Sequence, residues 1–290
     1  MPGIDSYTKI MLHFDGSDAG TTFTDSSASA HTFTGGGNAQ LDTAFKKFGT
    51  AALLCDGSGD YITTNDSSDF TLDLSDWTVD FWFNLTVAGG LIRRAFGQGD
   101  SSNTTSLVSI HGGIDENDFV SATINSGSAS ATITGTTAIT TSGWHHYALV
   151  RTGNVIKLFL DGVQEGGDLS FTLAVNDSAY KFSIGRLGET AANYWRGSID
   201  EFRLSVGIAR WTSNFTPESA AYTSLQTITG ALFTNTQTFY GASTLPVEAV
   251  FGALFTNTQE FFVSQVARVG DPPGPITEIY RRTSARKRAF

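Results

Sequence analysis

The run Thr78-Val-Asp-Phe-Trp-Phe-Asn-Leu85 puts Val79, Phe81, Phe83 and Leu85 on one side of an extended chain and Thr78, Asp80, Trp82 and Asn84 on the other. Successive side chains of a strand point to opposite faces, so this alternation reads as a half-buried antiparallel strand. Further along, residues 144–151 and 155–160 flank Thr152-Gly153-Asn154, a tight hairpin turn in which Gly and Asn can adopt positive φ. Asp161-Gly162 turns the chain again, and residues 181–185 and 197–205 read as two later strands. No segment carries a long apolar stripe at helical spacing. From the start to about residue 222, short alternating runs are punctuated by Gly, Asn and Asp at the spacing of a β-sandwich.

Composition points the same way. The 290 residues include 38 Thr, 29 Ser, 31 Gly and 22 Phe, and only 16% are charged. Thr and aromatics suit strands and Gly suits turns, whereas a helical bundle needs far more Glu, Lys, Leu and Ala. The single cysteine, Cys55, excludes an internal disulfide framework and a cysteine-based zinc site. Met1-Pro2-Gly3-Ile4-Asp5 has neither a basic region nor an apolar run, so no secretory leader is expected, and no apolar stretch is long enough to insert into a membrane.

Charge is unevenly distributed. The net charge is −10, yet residues 268–290 set six cations against Asp271 and Glu278, a net of +4, which leaves −14 on residues 1–267. An acidic body argues against generic nucleic-acid binding, which needs a basic surface for phosphate contacts.

The sandwich pattern stops near residue 223. Gly230-Ala-Leu-Phe-Thr-Asn-Thr-Gln237 recurs without change as Gly252-Ala-Leu-Phe-Thr-Asn-Thr-Gln259, an offset of 22 residues. Residues 223–267 therefore read as one small strand–turn–strand unit used twice. Two such units bury too little to stand alone and are expected to pack on the sandwich or on another subunit. Residues 268–290 form a proline-rich arm whose prolines at 272, 273 and 275 forbid helix, ending in Arg281, Arg282, Arg286, Lys287 and Arg288.

Six stretches carry a family resemblance. They are Leu12-His-Phe-Asp-Gly16 with Asp25-Ser-Ser27, the run 48–61, Trp77-Thr-Val-Asp-Phe-Trp82, Trp144-His-His-Tyr-Ala-Leu-Val-Arg151, Lys157-Leu-Phe-Leu-Asp-Gly162 and Gly197-Ser-Ile-Asp-Glu-Phe-Arg203. Together they resemble a laminin-G-like, concanavalin A-like jelly roll over residues 10–218. The resemblance implies an antiparallel two-sheet sandwich that binds glycans or proteins, frequently with one Ca²⁺. It does not imply catalysis, because sandwiches host many functions. The repeats resemble those that follow such domains in bacteriophage-encoded proteins.

For the metal, residues 198–204 read as a strand in which Asp200 shares the inward face of Phe202 and Leu204. A buried carboxylate needs a cation or several hydrogen bonds. Two readings stand. In one, the resemblance supplies Ca²⁺ held by Asp15, Asp25 and Asp200; in the other, Asp200 caps a turn through backbone N–H groups and Asp15 is a turn residue. For a glycan, the loop 188–197 offers Tyr194 and Trp195 beside Asn193, Arg186 and Arg196, and exposed aromatics next to polar groups suit sugar stacking; folding of the loop aromatic back onto the core is the other reading. Trp82, on the polar face of its strand, would line a groove or be covered by the repeats. Asp115-Glu116-Asn117-Asp118 lacks the strand-borne Glu-x-Asp-x-(x)-Glu run of laminarinase-like glycosidases. His145 and His146, being adjacent, face opposite ways and cannot chelate together.

The resulting expectation is a virion protein of bacteriophage type, made in the host cytoplasm. Its jelly roll would adhere to host-surface polysaccharide, and residues 223–290 would dock onto other virion proteins or onto copies of the same chain as a homo-oligomer. A purely structural virion protein is the alternative, with a glycoside hydrolase behind both.

Overall fold

A computed structural model of the chain describes residues 3–100, 108–140, 143–189 and 193–223. The expected repeats and the basic arm, from residue 224 on, lie outside the described residues. Among the described residues the strands follow in order: β1 (Thr8–Leu12), β2 (Thr34–Gly36), β3 (Gln40–Asp42), β4 (Ala52–Asp56), β5 (Tyr61–Thr64), β6 (Trp77–Leu85), β7 (Arg93–Gln98), β8 (Ile110–Ile114), β9 (Val120–Asn125), β10 (Ser130–Thr134), β11 (His145–Thr152), β12 (Val155–Leu160), β13 (Val163–Ser170), β14 (Phe182–Ile184) and β15 (Arg196–Val206). They form two antiparallel sheets. The first runs β13-β12-β11-β6-β15-β4-β3, with β1 also on β15; the second runs β10-β9-β8-β7-β14-β5-β2. This is the two-sheet jelly-roll sandwich expected from the sequence.

The opening alternation behaves as its period requires. Trp77, Val79, Phe81, Phe83 and Leu85 of β6 all enter the core, where Phe81 stacks on Tyr147 at 4.7 Å and on Phe202 at 5.7 Å. The hairpin between β11 and β12 turns at Gly153 with φ 58°, and Asp161 and Gly162, at 50° and 78°, make the next turn.

The opposite face of the first sheet is not half exposed. Residues 207–223 fold back across it as a strap, and Trp211 and Phe215, stacked at 4.1 Å, cover Ala148, Val150 and Phe159 to make a second small core. Beneath the strap, Arg203 of β15 donates from Nε and Nη2 to Asp80 of β6 at 2.9 and 3.1 Å, and the Tyr222 hydroxyl donates to the same carboxylate at 2.7 Å. The Arg203 guanidinium lies 3.7 Å over the Tyr222 ring. Burial pushes Asp80 up, but the charges of Arg203 and His146 outweigh it and hold the carboxyl at about 2.

Strand β15 contains a bulge that the sequence pattern missed. Glu201 adopts φ 51°, and Glu201 and Phe202 together stand opposite the single position between Trp82 and Asp80 of β6. The extra residue inverts the alternation: Ile199 and Phe202 are in the core, whereas Asp200 pairs with Trp82 on the strap side. Glu201 is fixed there by His13 at 2.7 Å and by the backbone N–H of Tyr222 at 2.8 Å.

Candidate functional site

The expected metal set does not assemble. Because of the bulge, Asp200 does not share the face of Phe202 and Leu204. Its Oδ2 accepts the N–H groups of Lys47 and Phe48 at 2.8 and 3.0 Å, and its Oδ1 accepts that of Glu201 at 2.8 Å. Burial pushes its carboxyl up to about 7 against these donors. Asp15 accepts from the backbone and hydroxyl of Thr50. Asp25 accepts the N–H groups of Met11 and Ser27, both at 2.9 Å, and that of His31 at 2.8 Å. The three carboxylates thus organise turns through backbone donors. Among the described residues no group of three or more His, Cys, Asp or Glu side chains is placed to hold a metal ion. These residues do not fit a Ca²⁺ centre, which needs six to eight oxygens turned toward one point.

The five residues expected around a glycan also separate. Trp195 is fully buried, packed edge-on against Phe83 at 5.7 Å and Phe81 at 6.5 Å. Counting back by twos from the inward Ile199 places Gly197 and then Trp195 on the core face, a signal the loop assignment overlooked. Trp82 is 7% exposed, covered by the Lys47 ammonium 3.8 Å above its ring and by the edge of Phe48 at 5.8 Å. Its cover is the 43–50 loop, which Asp200 and Asp15 hold in place.

Arg186 lines one hollow on the outer face of the second sheet, about 480 Å³ in volume, with Tyr61, Thr63, Asn65, Lys181 and Glu189. Its guanidinium stacks 3.4 Å over the Tyr61 ring. That ring lies across Gly36, its partner on β2, where a Cβ would run into it. One ring face is therefore taken by Arg186 and the ring also packs against backbone, which leaves hydroxyls and charges as the lining of this hollow.

Asn193 and Tyr194 open onto a different groove, about 450 Å³, at the end of the sandwich where β4, β7 and β15 meet. Asn193 takes φ 54°, a conformation its short amide tolerates, and its carbonyl accepts the Arg94 N–H at 2.8 Å. The next residue but one, Trp195, donates its N–H to Gly185 at 2.8 Å. These bonds pin the loop against β7 and turn Tyr194 outward while Trp195 enters the core. Leu91, 54% exposed, and Ile92 extend the apolar part of the groove; Asp56, Ser58 and Arg196 supply polar groups. Gly57 lets the Arg196 stem lie alongside, since a Cβ there would meet it at 3.0 Å.

The floor residue Arg93 was not singled out from sequence. It is 1% exposed, and its Nη1 donates to Asp118 at 3.1 Å. The Asp115–Asp118 loop spends its carboxylates on such work. Asp115 caps the turn through the N–H groups of Asn117 and Phe119, both at 2.9 Å, and Asp118 holds Arg93 and the Gly89 N–H. The Arg93 Nε and Nη2 atoms are buried and find no hydrogen-bond partner among the described residues.

A family model described as the concanavalin A-like lectin/glucanases superfamily matches residues 56–207. The chain belongs to this family. Its members' fold recurs in solved structures. The binding domain of Paraclostridial Mosquitocidal Protein 1 superposes with a TM-score of 0.54 at 13% identity, over 70% of this chain and 49% of that one. Domain 4 of the arabinanase AbnA from Geobacillus stearothermophilus, solved in complex with arabinotriose, gives 0.52 at 19% identity over 70% and 93% of the two chains. A botulinum neurotoxin type C structure, described with cell entry dependent upon interaction with two ganglioside molecules, gives 0.51 at 14% over 70% and 48%. The concanavalin A-like sandwich thus spans about half the length of the toxin chains it matches. No curated protein matches by sequence. Among the described residues no helix is long and apolar enough to cross a membrane.

Proposed function

We propose that this concanavalin A-like domain is a non-catalytic carbohydrate-binding module that attaches a bacteriophage particle to host-surface polysaccharide. The observation that carries the reading is the end groove, where Tyr194, Leu91 and Ile92 lie beside Asn193, Ser58, Asp56 and Arg196. Sugars present apolar C–H faces and rings of hydroxyls, and a concave site with an aromatic, aliphatic contacts and a few planar polar groups meets both. The arabinotriose complex of AbnA domain 4 and the ganglioside dependence described for the type C neurotoxin support carbohydrate as the ligand class on this fold.

The phage assignment rests on the resemblance of the duplicated run at 230 and 252 to repeats of bacteriophage-encoded proteins, and the docking role on the basic arm ending in Arg281, Arg282, Arg286, Lys287 and Arg288. An acidic body of −14 suits docking of that arm onto another copy or onto a different virion protein, with association that weakens in salt. The test is binding of the full chain to host-surface polysaccharide. Wild type binds, and Tyr194→Ala loses about tenfold or more in affinity, the scale of an interface aromatic. Absence of any host-glycan binding by wild type would leave the purely structural role.

A further inference from the structure

We propose that the end groove takes an acidic sugar, whose carboxylate is received by the free Nε–Nη2 edge of Arg93; this deepens the carbohydrate reading above and rests on it. The molecule holds its own template for the contact. In Arg203 the same edge, Nε and Nη2, donates to the two oxygens of Asp80 at 2.9 and 3.1 Å. In Arg93, equally buried, that edge has no acceptor among the described residues, and only Nη1 is used, on Asp118 at 3.1 Å. Burying a cation with half its donors unmet is costly, and the planar side-on edge of a guanidinium matches a carboxylate with two parallel bonds. The unmet Arg93 atoms are donors, which selects an acceptor-rich ligand. Arg196, exposed on the same groove, adds a second cation for the anionic group.

The edge is buried, so the ligand reaches it by lifting the 86–92 segment. That segment is tied down by the Gly89 N–H on Asp118 Oδ1 at 2.9 Å, the oxygen that also holds Arg93, and by the N–H groups of Gly90 on the Glu116 carbonyl at 3.2 Å and of Thr86 on the Arg196 carbonyl at 3.4 Å. Gly89 and Gly90, both at positive φ with open space around them, give it the freedom to move.

The experiment titrates the full chain with N-acetylneuraminic acid and with glucuronic acid, each beside its carboxyl-reduced alcohol, and with neutral host oligosaccharide. Wild type is expected to bind at least one acid about ten- to a hundredfold more tightly than its reduced form, the range for hydrogen bonds to a charged group. Arg93→Lys, which keeps the charge but not the fork, should erase that preference, and Arg196→Gln, at an exposed position, should weaken it. Because the acid–alcohol comparison uses wild type, a folding defect in Arg93→Lys leaves the proposal testable. Equal binding of acid and alcohol, or binding of neutral oligosaccharide alone, overturns the proposal while the carbohydrate reading stands. No binding to any of these sugars or to host polysaccharide removes both.

Discussion

On the outer face of the first sheet, the Nε–Nη2 edge of Arg203 is closed by Asp80, roofed by Tyr222 and sealed beneath the 207–223 strap. At the end of the sandwich the same edge of Arg93 faces no acceptor, and the groove above it is lined by Tyr194, Leu91 and Arg196. The buried guanidinium groups of Arg203 and Arg93 are thus treated in opposite ways. The first is complete within the chain, so it contributes to one defined packing of strap on sheet. The second is complete only when an acceptor arrives from outside. The difference locates recognition at the rim of the sandwich, away from the sheet face where Trp82 lies covered.

Breaking the closed region should have the largest effect. Asp80→Ala strands the Arg203 charge beneath the strap and is expected to cost about 3–5 kcal/mol of stability; denaturant unfolding would show it, and a loss below 1 kcal/mol would mean the pair is not sealed. The neighbours Trp195 and Tyr194 sharpen the contrast. Trp195→Ala empties a core position and should cost about 3–5 kcal/mol, with any loss of glycan binding following from unfolding. Tyr194→Ala should change stability by less than about 1 kcal/mol while weakening sugar binding.

A pH profile tests the bulge at Glu201, beside the closed region. Burial raises Asp200 to about 7, above its ordinary 3.8, so the folded state takes up a proton more readily than the unfolded one. His13 is also raised, since Glu201 outweighs the opposing effect of burial. Both contributions are present at low pH and are lost as pH rises through the folded values. For Asp200 stability should therefore fall between about pH 4 and pH 7, and for His13 as pH rises from 6.5, by at most about 1.4 kcal/mol per pH unit for each proton. Asp200→Asn should flatten that slope. At the acid end, Asp80, held at about 2, makes stability decline as pH falls below its ordinary 3.8.

Much of the fold was legible because period-2 alternation and turn chemistry are local. β6, the β11–β12 hairpin and the Asp161-Gly162 turn follow from single residues and their neighbours. Trp195 followed from the local alternation of β15 and was overlooked, whereas the other misplacements depend on contacts distant in sequence. The bulge at Glu201 is held by His13, 188 positions away, and by Tyr222 beyond the sandwich motifs, so nothing within residues 198–204 announces it. It moved Asp200 to the other face and dissolved the metal set. The strap buried Asp80 and His146 for the same reason, since Trp211 and Phe215 give no local sign of the surface they cover. In the site, Asn193 and Tyr194 were found as loop residues, whereas Arg93 was not, because an unmet donor is visible only once its surroundings are assembled.

The measurement that bears most directly on the account is an amide chemical-shift titration of the full chain with host-surface oligosaccharide. Saturable shifts should concentrate at Ser58, Leu91, Arg93, Asn193 and Tyr194, with Lys47, Trp82 and His146 unmoved. Shifts centred on Lys47 and Trp82, with the end groove silent, would contradict it.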